Sequence, residues 1–244
     1  MEQTNTIIVI SRYEKDMHWT KKFVEHGFRV LVYEHEKIAS HPYFVNENKG
    51  REASIYLKYI IDYYDNLTPY TIFLQDSEKS WHHEGSIVDL VHHRVGKKDK
   101  FYNFNNRCLA LIEPNNLYPM MVEYFNKYLA PYIGDIEKYG DWTAGYKCCS
   151  QFVVHKNTIR RYPKKMFEDM LAYMLDGRHD EKAKGHMFEW TLHLMFDNPL
   201  TMHKMSPKKY REMMEKRKKK INNAVRDKKH VFIDGCRVII SYGD

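Results

Sequence analysis

The sequence predicts a three-layer αβα domain of the α/β class with a mainly parallel central sheet. Three observations carry that expectation. Thr6-Ile7-Ile8-Val9-Ile10 is a continuous apolar, β-branched run of strand length, the pattern of a strand buried on both faces. A short helical stretch from Met17 to His26, ended by Gly27, leads into a second apolar run from Phe28 to Tyr33. Strand, helix and strand so close together form a βαβ unit, which brings parallel strands and a right-handed crossover. A third strand, Tyr70 to Leu74, follows a strongly periodic helix.

The elements follow in order. Glu34 to Gly50 is polar and reads as a loop. From Arg51 to Asn66, Tyr56, Tyr59, Ile60, Tyr63 and Tyr64 fall at helical spacing on one face, with Leu67 just beyond, and Thr68-Pro69 stops the helix. The strand Tyr70 to Leu74 ends in Gln75-Asp76. A helix is expected over Ser86 to Arg94, a strand over Arg107 to Ile112, a helix over Leu117 to Leu129 and a loop over Gly134 to Gly145. Cys148 to His155 reads as a strand and Asn157 to Tyr162 as a helical turn. Pro163 then opens a helix to Leu175, and Met187 to Phe196 forms a further one. Ser206-Pro207 begins an exposed basic helix running to Val225. Asp234-Gly235 makes a hairpin of the apolar segments on either side of it. Residues 1–204 are expected to be the main domain, and 205–244 a basic helix plus β-hairpin appended to it.

Composition narrows the classes. With 43% hydrophobic and 29% charged residues and 19 tyrosines, the chain can build a core, and global disorder is excluded. No apolar stretch reaches the roughly 20 residues that span a bilayer. The polar start Met1-Glu2-Gln3-Thr4-Asn5 has no secretory pattern, so a cytoplasmic location is expected. Cys108, Cys148, Cys149 and Cys236 match no zinc-site spacing and read as reduced thiols. The net charge of +7 is uneven: Lys204 to Lys229 holds 12 Lys/Arg against 3 Asp/Glu, which leaves the rest of the chain at −2.

Ligands of open α/β sheets bind beyond the carboxyl ends of the strands. Three polar segments are placed to reach that rim: Ser11 to Asp16, Asn48 to Glu52 and Gln75 to His83. Asn48-Lys49-Gly50-Arg51-Glu52 opens a helix, where free N–H groups favour an anion and Arg51 could pair with a diphosphate; a plain cap explains the same residues. Gln75-Asp76-Ser77-Glu78 follows a buried strand, and two carboxylates two positions apart could bridge a divalent cation to a diphosphate, or simply form an exposed turn. Trp81 suits stacking on a sugar or base, or core packing, and the neighbouring His82-His83 pair lacks a zinc pattern. Glu189 and His193, four apart on an otherwise apolar helix, are either a general base with a metal or phosphate ligand, or a buried structural pair.

Taken together, Ile10-Ser11-Arg12-Tyr13, Asp16, Trp19, Asn48-x-Gly50-Arg51-Glu52, Phe73-Leu74-Gln75, Trp81-His82, Cys149-Ser150-Gln151-Phe152 and Glu189-Trp190-x-x-His193-Leu194-x-Phe196 resemble a large family of uncharacterised fungal proteins, also met in algae and giant viruses. The likeness runs from about Ile7 to Phe196. That family is similar, more remotely, to GT-A-type glycosyltransferases. The resemblance implies a GT-A-like nucleotide-sugar transferase fold. In it Arg12, Asp16, Asn48, Gly50, Arg51, Gln75, Trp81 and His82 surround the nucleotide sugar. Asp76 and His193 hold Mn²⁺ or Mg²⁺, and Glu189 is the catalytic base. Gln75-Asp76-Ser77-Glu78 departs from the Asp-x-Asp motif of those enzymes.

The expected function is transfer of a sugar from a UDP- or GDP-sugar donor to a hydroxyl of a glycan or glycolipid. The alternatives are a non-catalytic nucleotide- or glycan-binding module, or a nucleic-acid-binding protein acting through the basic segment. Residues 205–229 fit an anionic membrane surface. Nucleic acid is the weaker partner because Tyr210 is the sole aromatic among the charges.

Overall fold

A computed structural model of the chain describes residues 1–35, 48–80, 82–105, 118–135 and 149–197, four helical positions within 212–219, and the strand backbone of 231–233 and 236–238. The expected strand at Arg107 to Ile112, the side chain of Trp81 and most of the basic segment lie outside the described residues.

A five-stranded sheet organises the domain. The strands are β1 (Thr6–Arg12), β2 (Arg29–Glu34), β3 (Tyr70–Gln75), β4 (Phe101–Asn103) and β5 (Phe152–His155), in the spatial order β2-β1-β3-β5-β4. β1 pairs in parallel with both β2 and β3, while β5 runs antiparallel between β3 and β4. The sheet is therefore mainly parallel, as expected. β4 was not anticipated, because Phe101-Tyr102-Asn103 is too short to carry a period of its own; its pairing with Phe152 to Val154 creates it.

Alternation along the strands sorts two cores. Ile7, Val9, Phe73, Phe152 and Val154 face α2 (Arg51–Tyr63), α4 (Tyr118–Tyr128), α7 (Lys164–Leu175) and α8 (Glu181–Phe196). Ile8, Ile10, Ile72, Leu74 and Val153 face α1 (Lys21–Glu25) and α3 (Ile87–His92) on the other side. The result is the three-layer αβα arrangement. Two short helices, α5 (Ala130–Ile133) and α6 (Lys156–Ile159), complete the set among the described residues.

The tyrosines act as ties between layers. Tyr56 and Tyr59 of α2 are fully buried and pack against Phe73, while Tyr63 stacks on Tyr59. The Tyr56 hydroxyl donates to the Ser150 carbonyl at 2.8 Å, Tyr33 to Asp62 at 2.9 Å and Tyr162 to the Met195 carbonyl at 2.6 Å. Each ring buries apolar area while its hydroxyl satisfies a polar group.

Two helix boundaries differ from expectation. α2 stops at Tyr63 and continues as a 3-10 turn, Tyr64–Asn66. α8 begins at Glu181, six residues before the expected Met187, because the Asp180 side chain caps it by accepting the Ala183 N–H at 2.9 Å. Two short strands, β6 (Val231–Ile233) and β7 (Cys236–Val238), pair antiparallel with Ile233 opposite Cys236, which is the hairpin expected around Asp234-Gly235.

The entry to α2 is tightly constrained. Gly50 adopts φ 67, and a Cβ there would lie 2.7 Å from the Cβ of Met174 at the end of α7. Gly50→Ala is expected to cost about 2–4 kcal/mol, from left-handed strain and steric overlap together. A urea midpoint unchanged from the parent protein would contradict this.

Candidate functional site

Parallel β1, β2 and β3 end at one rim, and antiparallel β5 begins there, so Ser11, Arg12, Glu34, Gln75 and Ser150 gather at one edge. The start of α2 sits over it: the Gln75 Nε2 donates to Glu52 Oε1 at 2.7 Å. Arg51 follows Gly50 with φ 50, a left-handed conformation that is costly for a residue with a Cβ and that concentrates at functional sites.

A relay of charges fixes that entry. The Lys184 ammonium is fully buried, donates to the carbonyls of Met174 at 2.8 Å and Asp176 at 2.5 Å, and pairs with Glu181 Oε1 at 2.8 Å. The other oxygen of Glu181 accepts the Gly50 N–H. Arg51 then runs alongside α8, where a Cβ on Gly185 would lie 3.5 Å from its Cδ.

Glu189 lies about one turn beyond Gly185 along α8 and feels both Glu52 and Arg51. Burial, reinforced by the Glu52 charge and opposed by Arg51, pushes its carboxyl up to about 7. Tyr56 marks the centre of the cluster. Burial raises its hydroxyl well above the ordinary tyrosine range, and Glu52, Cys149, Asp76 and Glu189 all add to the rise. His186 stacks on Trp190 with ring centroids 5.3 Å apart, and burial followed by Lys182 and Arg51 holds its imidazole below the usual value.

The opposite side of the rim is the β1–α1 connection. Lys15 Nζ donates to Asp76 Oδ1 at 2.9 Å and to Ser77 Oγ at 2.8 Å, and the Tyr13 N–H donates to Asp76 Oδ2 at 3.1 Å. Arg12 spans Glu34 at 3.0 Å and the Lys15 carbonyl at 2.8 Å. Glu78 is held at 2.9 Å by Lys22 and at 2.8 Å by Ser86.

The positions singled out in the sequence separate accordingly. Arg51, Gln75, Asp76 and Glu189 share one neighbourhood, with Gly50 and Arg12 as its backbone and loop anchors. Asn48 is half-buried in the turn before α2. Asp16 belongs to the same loop as Lys15, but its side chain is 71% exposed and caps its own chain at the His18 N–H, so it does not face the cluster. His193 is buried within the core end of α8, where desolvation drives its imidazole down to about 3. His82 is buried beside His83, and desolvation, reinforced by that neighbour, lowers it to about 4.

Five residues of the cluster carried no sequence signal strong enough to select them: Lys15, Glu52, Tyr56, Glu181 and His186. Glu52 read only as a helix-start acid and Tyr56 only as one of many core tyrosines. Lys15 was hidden in an alternating run of charges.

The family comparison matches residues 7–215 to the model described as protein of unknown function (DUF3431). The chain belongs to the DUF3431 family. The DUF3431 match continues past Phe196 into the basic segment, so that part of 205–244 belongs to the family pattern, contrary to the expected end of the likeness. No curated protein and no solved structure matches the chain. Among the described residues no helix is long and apolar enough to cross a membrane.

The raised Glu189 carboxyl has a consequence for stability. Its proton is held more tightly in the folded chain than in the unfolded one, so its contribution is complete below about 4.5 and is lost as the pH rises through about 7. Glu189→Gln should remove a loss on the order of 3 kcal/mol over that window and be the more stable protein above neutrality. Parallel stability–pH curves for the two proteins would contradict this.

Proposed function

We propose that this DUF3431 protein is a GT-A-like glycosyltransferase that moves a sugar from a UDP- or GDP-sugar to a hydroxyl of a glycan or glycolipid. The observation that carries the reading is Glu189. It is a half-buried carboxyl that burial and the Glu52 charge push up to about 7, next to Arg51, at the carboxyl rim of a mainly parallel sheet. A base of that strength is matched to proton removal near neutral pH. The family as a whole has no assigned activity, so the transferase reading rests on the site.

In this reaction Glu189 takes the proton of the acceptor hydroxyl. The acceptor oxygen forms a bond to the anomeric carbon, and the bond from that carbon to the nucleotide diphosphate breaks, its electron pair leaving with the diphosphate. A single displacement of this kind inverts the anomeric centre. Arg51, whose side-chain stem runs beside Gly185 of α8, offers a guanidinium to the departing phosphates.

The residues carried over to a divalent cation fit it poorly. Those residues are Asp76 and His193: both oxygens of Asp76 already accept hydrogen bonds, one from Lys15, and His193 is buried in the core end of α8. Among the described residues no group of three His, Cys, Asp or Glu side chains could hold a metal. No step is therefore assigned to Mn²⁺ or Mg²⁺. The same closed carboxylate favours a second reading, a nucleotide- or glycan-binding module of this architecture without turnover.

Thermal-shift measurements with UDP- and GDP-sugars, followed by transfer assays, separate the two. The transferase reading expects donor binding to survive Glu189→Gln while turnover falls by about 10²–10⁴-fold. It also expects the parent rate to rise with pH through about 7 and the variant to lack that rise. Donor binding without turnover in the parent protein supports the module, and full turnover by Glu189→Gln sinks the assignment of the base.

A further inference from the structure

The β1–α1 connection and the first turn of α1 each deliver a lysine to one of the two carboxylates that follow β3. Lys22 reaches Glu78 and Lys15 reaches Asp76, both at 2.9 Å. The two pairs are not equivalent. Lys22 and Ser86 both bind Glu78 Oε1, against the helix α3 cap. Lys15 sits at the sheet rim, on the carboxylate that also contributes to the electrostatic environment of Tyr56 alongside Glu52 and Glu189.

Several bonds hold Lys15 in place. Asp76 is largely covered, with 12% of its side chain accessible, and accepts from the Tyr13 N–H on its second oxygen. Ser77 Oγ takes another Lys15 proton at 2.8 Å. The Lys15 carbonyl is held at 2.8 Å by Arg12, which is itself fixed by the buried Glu34. Glu14 before it has φ 58, so the loop keeps a strained turn that presents the lysine.

An ammonium has three N–H donors. Asp76 and Ser77 take two, and the side chain remains 58% exposed. A third donor is left for a ligand arriving at the rim. A divalent ion on the remaining acceptor position of Asp76 would sit beside the Lys15 ammonium, which stays on the same carboxylate. Like charges at such separation oppose this.

We propose that Lys15, seated on Asp76 and Ser77, is the resident cation of this site and receives the diphosphate of a nucleotide ligand without a divalent ion. Asp76 is then a positioning residue: it orients the ammonium rather than ligating a metal. The inference deepens the transferase reading and borrows from it only the expectation of a diphosphate ligand.

Calorimetry on the full chain with inorganic pyrophosphate and with UDP and GDP, each in EDTA and in Mn²⁺, tests it. The expected result is equal affinity in the two buffers. Lys15→Ala should weaken binding by about ten- to a hundredfold. Asp76→Asn should weaken it in EDTA as well, a change that a metal ligand would not produce there. Lys165→Ala, the same charge loss on an exposed pair of α7, should leave affinity unchanged, and Lys15→Ala should keep the parent Tm because the lysine side chain is itself 58% exposed. Binding that appears only with Mn²⁺, no binding of any of the three probes, or full binding by Lys15→Ala overturns the proposal. Metal-independent, Lys15-dependent pyrophosphate binding without sugar transfer leaves Lys15 standing and ends the transferase reading instead.

Discussion

The buried Lys184 ammonium is the constraint on which the rim depends. A charge removed from water is costly unless its protons are satisfied, and here two carbonyls at the end of α7 and the Glu181 carboxylate satisfy them. Glu181 passes the constraint on by accepting the Gly50 N–H. The last turn of α7, the first turn of α8 and the entry to α2 therefore hold one another. Gly50 is pressed against Met174, where a Cβ would not fit, and it enters α2 in a left-handed turn that Arg51 continues. The placement of Arg51 and Glu52 is thus a consequence of a lysine more than 130 residues away in sequence.

The electrostatics of the rim then divide the acids into distinct roles. Glu52 accepts from Gln75 at 2.7 Å, whereas Glu189, facing it from α8, is pushed up to about 7. The two carboxyls thus sit in different surroundings on either side of the same rim. Asp76 and Glu78 form a third group, each closed by a lysine. The hydrophobic layer closes the rim from below: Tyr56 lies buried there, tied through its hydroxyl to the Ser150 carbonyl where β5 begins.

Much of this could be read from the sequence. The β-branched run at Ile7 to Ile10 and the periodic face of Tyr56, Tyr59 and Ile60 were legible because a strand or helix must bury residues at its own repeat, whatever it packs against. The rim location of Gln75 and Asp76 followed from the strand before them. Glu189 stood out as an acid on an apolar helix. β4 and the early start of α8 were not legible, since the first exists only through its pairing with β5 and the second through a capping aspartate inside a polar stretch.

The sequence by itself determined the layered αβα architecture and the segments that meet at its rim, because periodicity and turn chemistry are local properties. Only the tertiary structure decided which charges face one another. Asp16 turned outward and its neighbour Lys15 reached Asp76; the Gly50 N–H, expected to face a ligand anion, met the carboxylate of Glu181. These pairings join positions 61 and 131 residues apart, and no local rule selects among the many lysines and acids that could have made them. Packing of α2, α7 and α8 on the sheet brought those particular side chains within reach, and the cost of leaving a buried charge unsatisfied kept them there.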